Sequence, residues 1–205
     1  LKNEILLRPV SAILLSGGGN DSTYDTLKAL ILDKKAGAAS AMDQDKLKEH
    51  IRALGDYFVV VLGEIERVFA ERRVDPVPVI VHGYDYPLPR GKKGFARWLL
   101  EPFQNRGWKP DTDAQDRALA DQGMRDLIDE FNETLAALGG PKGKFAFVHH
   151  VRLAGTLEQA AKDQPQKFAS VEDLWNDDLH PTNEGFELLA RKIFDAVNGL
   201  KAPAA

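Results

Sequence analysis

The sequence of 205 residues predicts one α/β domain built on a parallel sheet, and three observations predict it. Short, almost continuous apolar runs occur at 10–16, 77–82 and 144–151. Strands covered on both faces read this way, whereas half-exposed strands alternate. Segments with apolar residues three and four apart separate the runs, and parallel neighbours need such helical crossovers. With 43% hydrophobic and 28% charged residues, the composition excludes a collagen-like, coiled-coil or disordered chain. No repeat or second domain interrupts residues 1–205, so they read as a single domain.

Each element follows from local chemistry. The run Val10-Ser11-Ala12-Ile13-Leu14-Leu15-Ser16 is stopped by Gly17-Gly18-Gly19-Asn20-Asp21, and a helix is expected over 23–32. Small and polar residues make 37–45 a loop. Leu47, Ile51, Leu54, Phe58, Val61, Ile65 and Val68 then mark a long amphipathic helix over 45–72. Val77-Pro78-Val79-Ile80-Val81-His82 is the second strand, ended by Gly83. Residues 84–112, rich in Pro, Gly, aromatic and basic residues, read as an irregular excursion or lid. Met124, Leu127, Ile128, Phe131, Leu135 and Leu138 define a helix over 113–138 that Gly139-Gly140-Pro141 terminates. The third strand is 144–151, residues 170–183 are turn-like, 186–197 is a final amphipathic helix and 199–205 a tail. Three strands leave an apolar edge unpaired, so one or two further strands are expected from sequence upstream or from another chain.

A net charge of −4 gives no basic field for nucleic acid or an anionic membrane. Runs such as 12–15 and 58–62 are far below the roughly 20 residues of a membrane helix. The sequence has no cysteine, which excludes thiol catalysis and thiolate metal sites within it and leaves localisation open. It begins Leu1-Lys2-Asn3 without the pattern of a signal peptide, and the natural start is expected upstream.

In open α/β sheets ligands bind at the carboxyl ends of strands, which selects 16–22, 82–86, His149-His150 and 177–181. In Asp177-Asp178-Leu179-His180-Pro181 a short loop can fold the first carboxylate onto the imidazole. Asp177 would then hold the Nδ1 proton and leave Nε2 as a general base. The same residues also suit a surface acid and a helix-capping histidine. After the first strand, Gly19 lets a ligand approach closely and Asn20 can donate to an oxyanion, although Gly-Asn-Asp is also common turn composition. His82 and Tyr84 follow the second strand and are candidates for a substrate pocket. Aromatic residues between Tyr84 and Trp108 suit an acyl or aryl group, and suit equally the packing of the excursion. A metal site from His82, His149, His150 and His180 is disfavoured, because adjacent strand residues point to opposite faces.

Together, Gly18-Gly19-Asn20-Asp21 and Asp177-Asp178-Leu179-His180-Pro181 resemble the third and fifth blocks of the SGNH (GDSL-type) hydrolases, in that family's chain order. His82-Gly83-Tyr84-Asp85-Tyr86-Pro87 also looks like bacterial members. The resemblance spans residues 10–198. It implies a flavodoxin-like three-layer α/β/α sandwich with strand order 2-1-3-4-5, in which the three strands read here are the third to fifth. It further implies a serine esterase or lipase, with Asn20 in the oxyanion hole, Asp177 as orienting carboxylate, His180 as base and no cofactor or metal. The substrate would be a small-molecule, lipid or carbohydrate ester. The family's nucleophile block, Gly-Asp-Ser, is absent. The serines are Ser11, Ser16, Ser22, Ser40 and Ser170, none in that context, and Ser22 falls inside the third block. The nucleophile and the first two strands are therefore expected upstream of Leu1 or on a separate chain.

Two other readings accompany this one. The loop 16–22 is similar to the phosphate loop of the PP-loop ATP pyrophosphatases, with one extra residue and no lysine. A binding protein of the same fold that has lost its serine is the other.

Overall fold

Apolar strands flanked by glycine turns, and helices whose cores recur every three to four residues, assemble as the patterning requires. The structure, a computed structural model, describes residues 10–22, 24–91 and 97–201. Thr23 and the excursion residues Lys92, Lys93 and Phe95 lie outside them, as do 1–9 and 202–205. Strands β1 (Ile13–Leu15), β2 (Val79–His82) and β3 (Val148–Val151) form a parallel sheet in the order β1-β2-β3. The helices are α1 (Tyr24–Leu30), α2 (Gln44–Arg72), α3 (Leu100–Asn105), α4 (Ala114–Leu138), α5 (Thr156–Asp163) and α6 (Asn183–Lys201), and single 3-10 turns occupy Asn20–Ser22 and Val171–Leu174.

Register divides the core. Ile13, Val79 and Val148 are cross-strand neighbours on one face, where they join Leu47, Ile51, Phe58 and Leu62 of α2 and Leu127, Phe131 and Leu135 of α4. Ile80 points to the other face, against Leu157 of α5, Leu174, Trp175 and Leu189 of α6. The side chains of Asp43 and Asp113 accept from the backbone N–H groups of Lys46 and Asp116, which starts α2 and α4 within a residue of the predicted limits.

Four expectations need correction. On α2 the inward residue after Phe58 is Leu62, fully buried, while Val61 is 42% exposed, because a four-residue step keeps the apolar stripe on one face. Residues 84–112 are no detached lid where described: Leu99, Leu100, Phe103 and Trp108 are buried in the core, and the Trp108 indole donates to the Leu32 carbonyl at 2.7 Å. They also contain α3. The third strand covers only the end of 144–151, since Phe145 N–H donates to Leu138 O and turns the chain after α4. Between β3 and 170–183 lies the unpredicted α5, whose start is set by Gly155 at φ 79°.

Among the described residues β2 is central and β1 is an edge. Leu14, whose register partner Ile80 is fully buried, is 56% exposed there. On α6, Phe186 and Phe194 are 51% and 64% exposed. The covered side of the sheet and this open side are distinct surfaces.

Candidate functional site

The glycine-rich turn after β1 is shaped by what lies beneath it. Gly18 adopts φ 89°, and a Cβ there would stand 2.9 Å from the Phe131 ring. A Cβ on Gly19 would stand 2.7 Å from the Tyr84 hydroxyl. At Gly18 the left-handed backbone and the Phe131 ring together require glycine, and at Gly19 the Tyr84 hydroxyl leaves no room for a Cβ. The Gly19 N–H donates to the Tyr84 hydroxyl at 3.0 Å, which in turn donates to the Gly17 carbonyl at 3.1 Å. The Tyr84 ring stacks on Phe131 at 6.2 Å between centroids. Tyr84, expected in a substrate pocket, lines the cleft and also fixes this turn. Asn20 opens the following 3-10 turn and is exposed.

The second half of the site is the loop before α6. Trp175 and Pro181 form an isolated bridge, and Asn176 N–H donates to His180 O at 2.8 Å, so the intervening residues fold into a tight loop. The Asp177 carboxylate accepts from Leu179 N–H at 2.8 Å and His180 N–H at 2.6 Å. It also accepts from His180 Nδ1 at 2.9 Å. Burial alone would raise the Asp177 carboxyl, but the Leu179 and His180 donors outweigh it and hold Asp177 below the usual carboxylate range. An ionised acceptor can only accept, which puts the proton on His180 Nδ1 and the basic lone pair on Nε2. The His180 side chain is 53% exposed and that of Asp177 only 9%. Asp178 points the opposite way and accepts from Leu99 N–H and Leu100 N–H at 2.9 and 3.0 Å, tying this loop to the start of α3.

Both halves open into one cleft of about 630 Å³. Ser16 to Ser22, His82, Gly83 and Tyr84 form one side, and Leu179, His180 and Pro181 another. Met124, Leu127, Ile128 and Phe131 form an apolar wall, with Leu189 and Ile193 of α6. Asn20, Gly19, His82, Tyr84 and His180 thus line the same cavity, although they come from three segments separated by up to 161 positions in the sequence. Asp177 stands behind His180.

His82 Nδ1 donates to the Gly83 carbonyl at 2.8 Å, which leaves its Nε2 as an acceptor. His150 lies on the opposite face, where its Nε2 donates to Asn132 Oδ1 at 3.0 Å; burial lowers it to about 4, with Arg152 and His82 adding to the shift. Among the described residues no three metal-ligating side chains converge. No described helix is long and apolar enough to cross a membrane.

One contact was invisible in the sequence. Ser22 Oγ lies 2.9 Å from His50 Nε2 on α2 and 3.3 Å from the Gly18 carbonyl. Burial lowers His50, opposed by the nearby Asp21. Twenty-eight positions separate Ser22 from His50, and only helix packing brings them together. Of the serines, Ser16 and Ser22 alone line the cleft.

Comparison with protein-family models, with curated proteins and with solved structures finds no match. What the described residues define is an α/β protein with a three-stranded parallel sheet and a cleft at the carboxyl ends of its strands.

Proposed function

We propose that this protein is a serine esterase or lipase of the SGNH type that cleaves neutral carboxylic esters by acyl transfer. The observation that carries the reading is the Asp177–His180 pair, with its tautomer fixed, facing the same cleft as the Asn20 turn. A serine Oγ attacks the ester carbonyl while His180 Nε2 takes its proton. The alkoxide leaves with that proton. Water then attacks the acyl-enzyme, giving a proton to His180, which passes it to the serine Oγ as the acyl–oxygen bond breaks and the acid departs. Asp177 stabilises the imidazolium, and the Asn20 amide donates to the oxyanion of both tetrahedral intermediates.

The nucleophile is assigned to a segment outside these 205 residues, upstream in the chain or on a separate one, that adds a parallel strand at β1. The exposure of Leu14 supports an addition there, since parallel sheets have both faces and their neighbours covered. Phe186, exposed on α6 and lining the cleft, supports it further. The apolar wall from Met124 to Phe131 favours a hydrocarbon acyl group. A pyrophosphate, the ligand of the phosphate-loop reading, would face Asp21 and no lysine or arginine among the described lining residues.

The Ser22–His50 contact favours a second reading, in which Ser22 is itself the nucleophile. One experiment separates the two. The full-length protein as purified, together with any chain that co-purifies with it, is treated with a fluorophosphonate, the intact masses are taken and the labelled peptide is mapped. Label on a serine outside these residues, lost in His180→Ala, supports the proposal. Label on Ser22, lost in His50→Ala, supports the second reading, and no label removes both.

A further inference from the structure

From the hydrogen bonds beneath the Asn20 turn, we infer that Tyr84 is a positioning residue for the oxyanion donor, acting through the turn rather than on the substrate. The inference rests on the esterase reading and adds to it a role for the residue after Gly83. The phenol closes a ring, accepting from Gly19 N–H at 3.0 Å and donating to Gly17 O at 3.1 Å. Both of its usual hydrogen-bonding roles are thereby used within the turn, and neither is left for an ester. Gly19 N–H is likewise engaged by Tyr84, so the oxyanion is left to Asn20 and to donors beyond this amide. The ring is itself held by stacking on Phe131, the same side chain that lies 2.9 Å from where a Gly18 Cβ would be. Asn20 follows directly. A turn pinned at Gly17 and Gly19, and supported under Gly18, gives the Asn20 side chain one starting geometry. Preorganisation of that kind is what makes an oxyanion donor effective, and small misplacements lose much of its effect.

Tyr84→Phe removes both hydrogen bonds and keeps the stacked ring, so the fold is retained. In the full-length protein it lowers kcat on a neutral ester about tenfold, with KM little changed. Exchange of the Gly19 amide rises about tenfold or more, followed by NMR or mass spectrometry. Asn20→Ala, which lowers kcat about 10²- to 10³-fold alone, has a markedly smaller effect in the Tyr84→Phe background. Tyr86→Phe is the comparator. It removes a hydroxyl on the same loop that donates to Asp129 at 2.6 Å, and its effect multiplies with that of Asn20→Ala without coupling. Independent effects of Tyr84→Phe and Asn20→Ala overturn the positioning role, and unchanged Gly19 exchange overturns the brace itself. If the unaltered protein turns over no ester, the esterase reading falls and the catalytic role of Tyr84 with it. Gly19 exchange still decides, in that case, whether the turn is braced as described.

Discussion

Lowering the pH from 7 to 4 is expected to destabilise the fold through His150 in particular. The ring sits between the sheet and α4, where its Nε2 donates to Asn132 Oδ1 at 3.0 Å, while Asn132 Nδ2 donates to Ile128 O at 2.7 Å. A Cβ on Gly83 would lie 2.5 Å from the same Asn132 oxygen, so the pair of buried Asn132 and half-buried His150 supports the turn that carries His82 and Tyr84. Burial, chiefly, holds His150 at about 4 against an ordinary 6.5, and Arg152 and His82 oppose its charging too. A depressed folded-state value means that the unfolded chain takes up the proton first. Stability from the neutral ring is thus fully present above pH 6.5 and is lost as the pH falls to about 4. The full shift corresponds to about 3 kcal/mol, and partial solvent access reduces this to about 2. His150→Gln keeps a donor for Asn132 and abolishes the titration. Urea unfolding of both proteins at several pH values isolates the effect, since all other groups cancel in the difference. The unaltered protein should lose about 2 kcal/mol relative to the variant between pH 7 and 4. A difference that stays flat over that interval refutes the account of His150 as a half-buried neutral donor.

Three further outcomes are expected. Asp177→Asn keeps an acceptor for the amides of Leu179 and His180 but turns a donor toward His180 Nδ1, disfavouring the productive tautomer. Steady-state ester hydrolysis should show kcat lowered about 10⁴-fold, and retention within tenfold would remove Asp177 from the mechanism. Asp85, 4% exposed, accepts from the N–H groups of Tyr86, Gly155 and Leu157 and so joins the turn after β2 to the start of α5. Asp85→Ala leaves these donors without their acceptor and should lower stability by about 2–4 kcal/mol in urea unfolding, whereas a change below about 0.5 kcal/mol would show that water replaces the carboxylate. Gly19→Ala drives a methyl group against the Tyr84 hydroxyl, 2.7 Å away. Its kcat should fall at least tenfold with substrate affinity nearly intact, and unaltered turnover would mean that the turn carries no part of the site.

Much of this arrangement was legible in the sequence because it rests on local chemistry. Periodicity alone marks α2 and α4, since Ile51, Phe58, Leu127 and Phe131 recur on one helical face, and Asp43 and Asp113 cap where a polar residue precedes the pattern. The pairing of Asp177 with His180 was legible as well, because residues three apart in a short loop can reach each other, although the same residues also suited a surface acid and a helix-capping histidine. The limits lay where a non-local partner decides. α5 starts because the Asp85 carboxylate, seventy positions away from Gly155, caps it, and α3 is held by the Asp178 carboxylate from the far end of the chain. Aromatics of the 84–112 excursion read equally as a substrate surface or as packing, and burial of Phe103 and Trp108 makes those two part of the core. Tyr84 was a candidate for contact with substrate; its ring with Gly17 and Gly19 exists only because β1 and β2 are neighbours in the sheet. The contact between Ser22 and His50 likewise depends on how α2 lies over the first turn. By itself, then, the sequence determined the long helices α2 and α4, the places of the three strands and the two polar loops, because backbone propensity and side-chain period act over a few residues. Which loops share the cleft, which glycines have no room for a Cβ and which edge of the sheet stands open were decided by the tertiary structure, because each depends on contacts between segments far apart in the chain.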